Sequence, residues 1–205
     1  MRVAVFLRWL AFVLAGALLM GGGYVLGRAA TGGRTPAPSA VDVGFLRDMI
    51  VHHEQAVTLG MIEHERATSS VVRDMAGEIA TSQQQEAGLM TGWLQQWGLP
   101  VSTTAPPMTW MKHPALVGAD ADPPMPGMAT RRQVARLAVT RGPAADLLFC
   151  SLMLPHHLGA LHMIDDVVAR GRRPEVIALA ERMRTDQQRE IDKLNRLLAQ
   201  MTAAH

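Results

Sequence analysis

Phe45-Leu46-Arg47-Asp48-Met49-Ile50-Val51-His52-His53-Glu54-Gln55-Ala56-Val57 returns 104 positions later as Phe149-Cys150-Ser151-Leu152-Met153-Leu154-Pro155-His156-His157-Leu158-Gly159-Ala160-Leu161. The phenylalanine, methionine, paired histidines and alanine keep their spacing. Outward from them the same gapless offset pairs Asp42 with Asp146, Ala76 with Ala180, Thr81 with Thr185, Gln83-Gln84 with Gln187-Gln188, and Glu86 with Glu190. An internal duplication accounts for this register better than chance, and it organises residues 42–201.

Each copy shows helical periodicity in two segments, about 42–66 and 71–97, then about 144–169 and 175–201. The breaks between them are the polar run Arg66-Ala67-Thr68-Ser69-Ser70 and the run Arg170-Gly171-Arg172-Arg173-Pro174, in which Gly suits a helix exit and Pro a helix entry. Each copy therefore reads as a helical hairpin. Two hairpins with one apolar face each make an all-α four-helix bundle. Gly98 to Pro143 holds most of the prolines and is too long for a bundle turn, so 98–143 is a crossover or overlying loop, with a short helix expected over Thr130 to Thr140.

Ahead of the duplication, Trp9 to Gly27 runs 19 residues without a charge, close to the ~20 that cross a bilayer. This is longer than the apolar core of a cleaved leader, and Gly27-Arg28-Ala29 is a mediocre cleavage site, which favours a retained signal anchor over residues 1–28. Such a leader exports the remainder of the chain. The next stretch, 29–41, is rich in Gly, Pro, Ala and Thr and reads as a flexible tether.

A formal net charge of +2, with 20 basic and 18 acidic residues and no block of five or six like charges, gives no electrostatic footprint for nucleic acid. Cys150 is alone, so it forms no intramolecular disulfide and no two-cysteine metal motif. It reads more simply as a small buried hydrophobe than as a ligand or nucleophile. Eight histidines and 14 methionines remain to be explained.

Counting 100° per residue from Phe45 places His53 inside the apolar stripe of its helix with Met49 and Ala56, and His52 at the stripe's edge. The same count from Val72 sets Gln83 and Glu86 among Met75, Ala76 and Ile79. If the hairpin turns near residue 68, antiparallel pairing brings residue 53 level with 83 and residues 49–50 level with 86–87. One interior layer then holds His53, Gln83, Glu86 and Met49, and the second copy repeats it with His157, Gln187, Glu190 and Met153. Each buried polar group left unsatisfied costs about 1–3 kcal/mol, so these groups must bond one another, water or a metal. Two readings stay open. In one the layer is purely structural and sets helix register; in the other the paired histidines bind a metal ion.

The doubled motif resembles the DUF305 family. Phe45-x-x-x-Met49-Ile50-x-His52-His53-x-x-Ala56 is similar to the family's signature, as is Met125-Pro126-Gly127-Met128-Ala129 leading through Asp146 to Leu152-Met153-Leu154-Pro155-His156-His157 and on to His162-Met163. Gln83-x-x-Glu86 and Gln187-x-x-Glu190 resemble its second helices. The resemblance implies a ferritin-like four-helix fold in exported, often membrane-anchored bacterial proteins, some of them associated with copper binding and resistance. Leu59 stands where the family usually has a methionine, whose counterpart Met163 is kept, and Cys150 is atypical. The metal reading accordingly takes His52, His53, His156, His157, Met49, Met153, Met163, Glu86 and Glu190 as ligands for a copper ion.

Three function classes compete. The preferred one is a membrane-anchored extracytoplasmic protein for copper binding or homeostasis. The alternative is a non-enzymatic structural or interaction module at the membrane surface. A di-iron oxidase would need Glu-x-x-His on core faces, and none is present. Met108, Met111, His113, Met125 and Met128 in the crossover loop suit either soft-metal acquisition or apolar anchoring of the loop.

Overall fold

The computed structural model describes residues 36–112, 122 and 125–203. The uncharged run Trp9 to Gly27, most of the tether and His113 lie outside the described residues. Five helices succeed one another: α1 Ala40–His64, α2 Ser70–Gln96, α3 Arg131–Val139, α4 Pro143–Arg170 and α5 Pro174–Ala203, with no strand among the described residues. The four expected long helices and the short one lie within two residues of where periodicity and turn chemistry put them.

Local chemistry sets the boundaries. Ser39 and Asp42 form a capping box at the start of α1, and Thr130 with Gln133 forms another at α3. The Ser69 hydroxyl caps α2. Gly142, at φ 68°, turns the chain into α4, whose first residue is Pro143. α1 packs closely on α2, α4 on α5, and α1 on α4, whereas α2 and α5 hardly approach each other. A gap is therefore left along the fourth side of the bundle.

Asp42 and Asp146 show the duplication acting in three dimensions. The Asp146 carboxylate accepts the backbone N–H of Thr68 at 2.9 Å and of Ser69 at 2.8 Å, pinning the turn between α1 and α2. Asp42 accepts the N–H of Arg172 at 2.9 Å and of Arg173 at 3.2 Å, pinning the turn between α4 and α5. The aspartate opening each hairpin thus holds the turn of the other hairpin, and the six residues pair at the same offset as the sequence repeat. α1 and α4 must run antiparallel for both contacts to form.

The described parts of the crossover, residues 98–112 and 125–130, lie against the bundle as a strap. Arg47 donates from Nε and Nη2 to the Pro100 carbonyl at 3.0 and 2.8 Å. One oxygen of Asp48 accepts both the Met108 N–H and the Trp110 indole N–H, each at 2.7 Å, and the Trp110 ring meets Phe45 edge-on. Met108 holds a left-handed φ of 66° to make this turn. Gly44 is required beneath it, because a Cβ there would collide with the Trp110 side chain. Further along, Gln55 brackets Ala129 through its N–H at 2.6 Å and its carbonyl at 2.9 Å. Pro126-Gly127 crosses α4 so tightly that a Cβ on Gly127 or Gly159 would run into the opposing backbone. Met108, Met125 and Met128 are buried in one cluster with Met49, Met90, Met163 and Met183, so they anchor the strap to the core.

α4 is long and apolar enough to cross a membrane by length and composition. In the bundle it contributes Phe149, Met153, Ala160 and Ile164 to the buried core, which accounts for that composition without a membrane.

Candidate metal centre

His52 and His156, each the first histidine of its pair, meet face to face where α1 crosses α4, with ring centres 3.8 Å apart and planes tilted by 41°. Both are fully buried, and neither ring has a hydrogen-bond partner at Nδ1 or Nε2. Burial, followed by the neighbouring histidines, holds both well below the ordinary histidine value of 6.5, so both are neutral at physiological pH. A rotation count puts His52 at the edge of the apolar stripe; the structure buries it completely, because α1 is covered by α2 on one side and by α4 on the other.

The second histidine of each pair points to the neighbouring hairpin arm. His53 Nε2 lies 2.9 Å from the Glu86 carboxylate on α2, and His157 Nε2 lies 2.6 Å from Glu190 on α5. With the carboxylates ionised, Nε2 carries the donated proton and Nδ1 keeps its lone pair, the tautomer that a metal needs at the free nitrogen. Nδ1 is without a partner in both rings. Gln83 and Gln187, predicted to share the layer, do so without bonding the histidines: their amides are buried and unpartnered.

Between α2 and α5 the gap forms a cleft of about 290 Å³, open to solvent and lined by Ser82, Gln83, Glu86, Met183, Gln187 and Glu190 among others. The glutamates connect it to the interior. Their side chains are 19% and 22% exposed, while the histidines they hold are at 0%.

The donors present suit copper. Six imidazole nitrogens, four on the His52–His156 pair and one on each of His53 and His157, are buried without a partner, and since a neutral ring keeps one N–H they offer up to four lone pairs. Met49 and Met153 stand one helical turn before His53 and His157, so thioethers and imidazoles share the same helix faces. The nine residues are not gathered into one sphere, however. Met49 and Met163 pack in the cluster beneath the strap, and Met153 packs in the other cluster with Phe149 and Cys150. Among the described residues no group of three or more His, Cys, Asp or Glu side chains is arranged to hold an ion. Stacked rings at 3.8 Å are closer than two imidazoles sharing one tetrahedral ion at about 2.0–2.1 Å from each nitrogen would stand, so coordination at His52 and His156 requires the rings to turn.

A second polar cluster, which sequence reasoning missed, sits at the α1–α2 turn. Glu63 is fully buried, and as a carboxylate it has no donor to either oxygen. Burial, then the adjoining Asp146 carboxylate, raises it from 4.5 to about 8 against the opposing pull of Arg66, so it is held protonated and donates to Asp146. Burial, then the charges of Glu63 and Asp146, pushes the Cys150 thiol up to about 12, leaving it an inert thiol. Nothing in the local sequence around Glu63 signals this, because its repeat counterpart is Val167.

A duplicated helical bundle with a histidine layer at its pseudo-twofold centre is the class these features define. The family model described as a domain of unknown function, DUF305, matches residues 42–198, and the chain belongs to the DUF305 family. Among solved structures it resembles a DUF305 protein of Streptomyces coelicolor assigned as secreted, at 38% identity and a TM-score of 0.72, covering 79% of this chain and 94% of that one. A DUF305 fragment from Deinococcus radiodurans matches at 30% identity and a TM-score of 0.66, covering 80% and 99%. CopM in its Cu(II)-bound form matches at 25% identity and a TM-score of 0.62, covering 78% and 96%. No curated protein matches the chain.

Proposed function

We propose that the chain is a membrane-anchored, extracytoplasmic, non-catalytic copper-binding protein serving copper binding or homeostasis. The observation that carries this reading is the set of six unpartnered imidazole nitrogens on α1 and α4, all buried and offering up to four lone pairs. Leaving so many polar atoms unsatisfied costs stability, on the order of 1–3 kcal/mol for each group, and a ligand that needs lone pairs offsets that cost. CopM, which shares the fold and carries Cu(II) in its structure, lends support. His52, His53, His156 and His157 would hold the ion, with Met49, Met153 and Met163 as soft donors. Glu86 and Glu190 act by fixing the tautomer of His53 and His157 or as oxygen donors.

The ring stacking and the absence of a ready three-donor group among the described residues favour a second reading, a structural layer in a module for interactions at the membrane surface. Metal analysis and copper titration of the purified chain separate the two. His53→Ala with His157→Ala is expected to abolish tight copper binding; equal binding by that variant would make the histidines structural.

A further inference from the structure

Every histidine of the layer is shut off from solvent, so any ion that reaches them must pass some opening in the bundle. The strap covers one face, anchored through Asp48, Gln55 and three buried methionines. α1–α2, α4–α5 and α1–α4 are closed by packing. The fourth side is the cleft, and there Glu86 and Glu190 touch solvent on one side and His53 and His157 on the other.

We propose that this cleft is the entry port of the histidine layer, where a hydrated divalent cation is first held by the oxygen atoms of Gln83, Glu86, Gln187 and Glu190. The inference rests on the copper reading above and adds the route to it. Gln83 and Gln187 are 2% and 3% exposed, line the cleft from both walls, and have no partner for either amide atom. Buried amides without partners are costly, and an amide carbonyl oxygen set in the cleft wall is a hard donor that a cation can take up once the side chain turns toward the opening. The charges at the mouth are already balanced, Lys193 lying 3.6 Å from Glu78 and Arg189 pairing with Asp186. Glu86 and Glu190 are thus the carboxylates of the cleft without a lysine or arginine partner; they draw a cation inward, and each is itself in hydrogen-bonding contact with Nε2 of its histidine. The cleft also obeys the offset of the duplication, with one glutamine and one glutamate on each wall, so the two half-sites are served alike.

Rapid mixing of the full chain with Cu(II) delivered from a weak chromophoric chelator tests this. Gln83→Leu with Gln187→Leu is expected to slow association about tenfold while equilibrium affinity stays within about threefold, because the final imidazole donors are untouched. Ser82→Lys places a positive charge at the exposed rim without altering the interior, and is expected to slow association as well, more strongly at low salt. Unchanged association in the folded Ser82→Lys chain overturns the port. Loss of affinity with unchanged association in the glutamine variant also overturns it, since the amides would then be final ligands. A folded parent chain that binds no copper refutes the proposed function and the port together, whereas normal binding that is lost only with His53→Ala and His157→Ala, and unhindered in both cleft variants, refutes the port alone.

Discussion

Glu63 shows how much one buried residue can set the pH response of the bundle. Its folded-state value near 8 lies above its ordinary 4.5, so the folded chain holds the proton more tightly than the unfolded one. The associated stability is fully present below about pH 4.5 and is lost as pH rises through about 8. Glu63→Gln keeps the shape and a donor for Asp146 but has no proton to lose. It is expected to match the parent near pH 5 and to exceed it by a few kcal/mol at pH 9, since each pH unit between the folded and unfolded values corresponds to roughly 1.4 kcal/mol before relaxation reduces the figure. Urea unfolding midpoints at the two pH values measure this; parallel pH profiles for parent and variant would refute it. His52 and His156 act in the opposite sense. Their lowered values favour the neutral form in the fold, so their contribution is present above about pH 6.5 and is lost as the solution becomes acidic.

The helices themselves are tied together by the crossed aspartates. Asp42→Ala strands two turn amides and also removes the capping box of α1, and Asp146→Ala strands the amides of Thr68 and Ser69. Each is expected to cost about 2–3 kcal/mol in chemical denaturation, with Asn recovering part of the loss. The two sites lie at opposite ends of α1, about 35 Å apart for a helix of that length, so the double variant should show the sum of the singles. This element-level order was largely legible in the sequence, since a gapless repeat and Gly/Pro punctuation set the helix ends. The strap was less so. Asp48 gave no sign of receiving Met108 and Trp110, and the choice between ligand and anchor for Met108, Met125 and Met128 turned on burial that no periodicity encodes in a loop. Within the site, the grouping of His53 with Gln83 and Glu86 and of His157 with Gln187 and Glu190 followed from rotation and level, but not that the glutamates rather than the glutamines hold the rings. The His52–His156 stack did not, because a rotation count assumes one buried face and α1 has two. Glu63 was missed because its surroundings come from α4, far away in sequence.

At the scale of the whole molecule, the uncharged run Trp9 to Gly27 and the tether after it should place the bundle outside the cytoplasm on a single retained span. Alkaline phosphatase fused after His205 is expected to be active and a cytoplasmic reporter inactive at the same point; the reverse pattern would refute export, and a mature N-terminus near residue 30 would refute the anchor alone. The crossed aspartates also leave each hairpin incomplete by itself. A single hairpin presents its aspartate at one end and its unclaimed turn amides at the other, and neither can reach its complement within the same copy. Two identical copies placed head to tail satisfy both at once, and they bring their first histidines together on the axis. The present chain thus joins in one polypeptide two hairpins that complete each other, with residues 98–143 as the covalent bridge. The two halves are not equivalent at the bridge: Gln55 grips it where its twin, Gly159, makes room for it to pass.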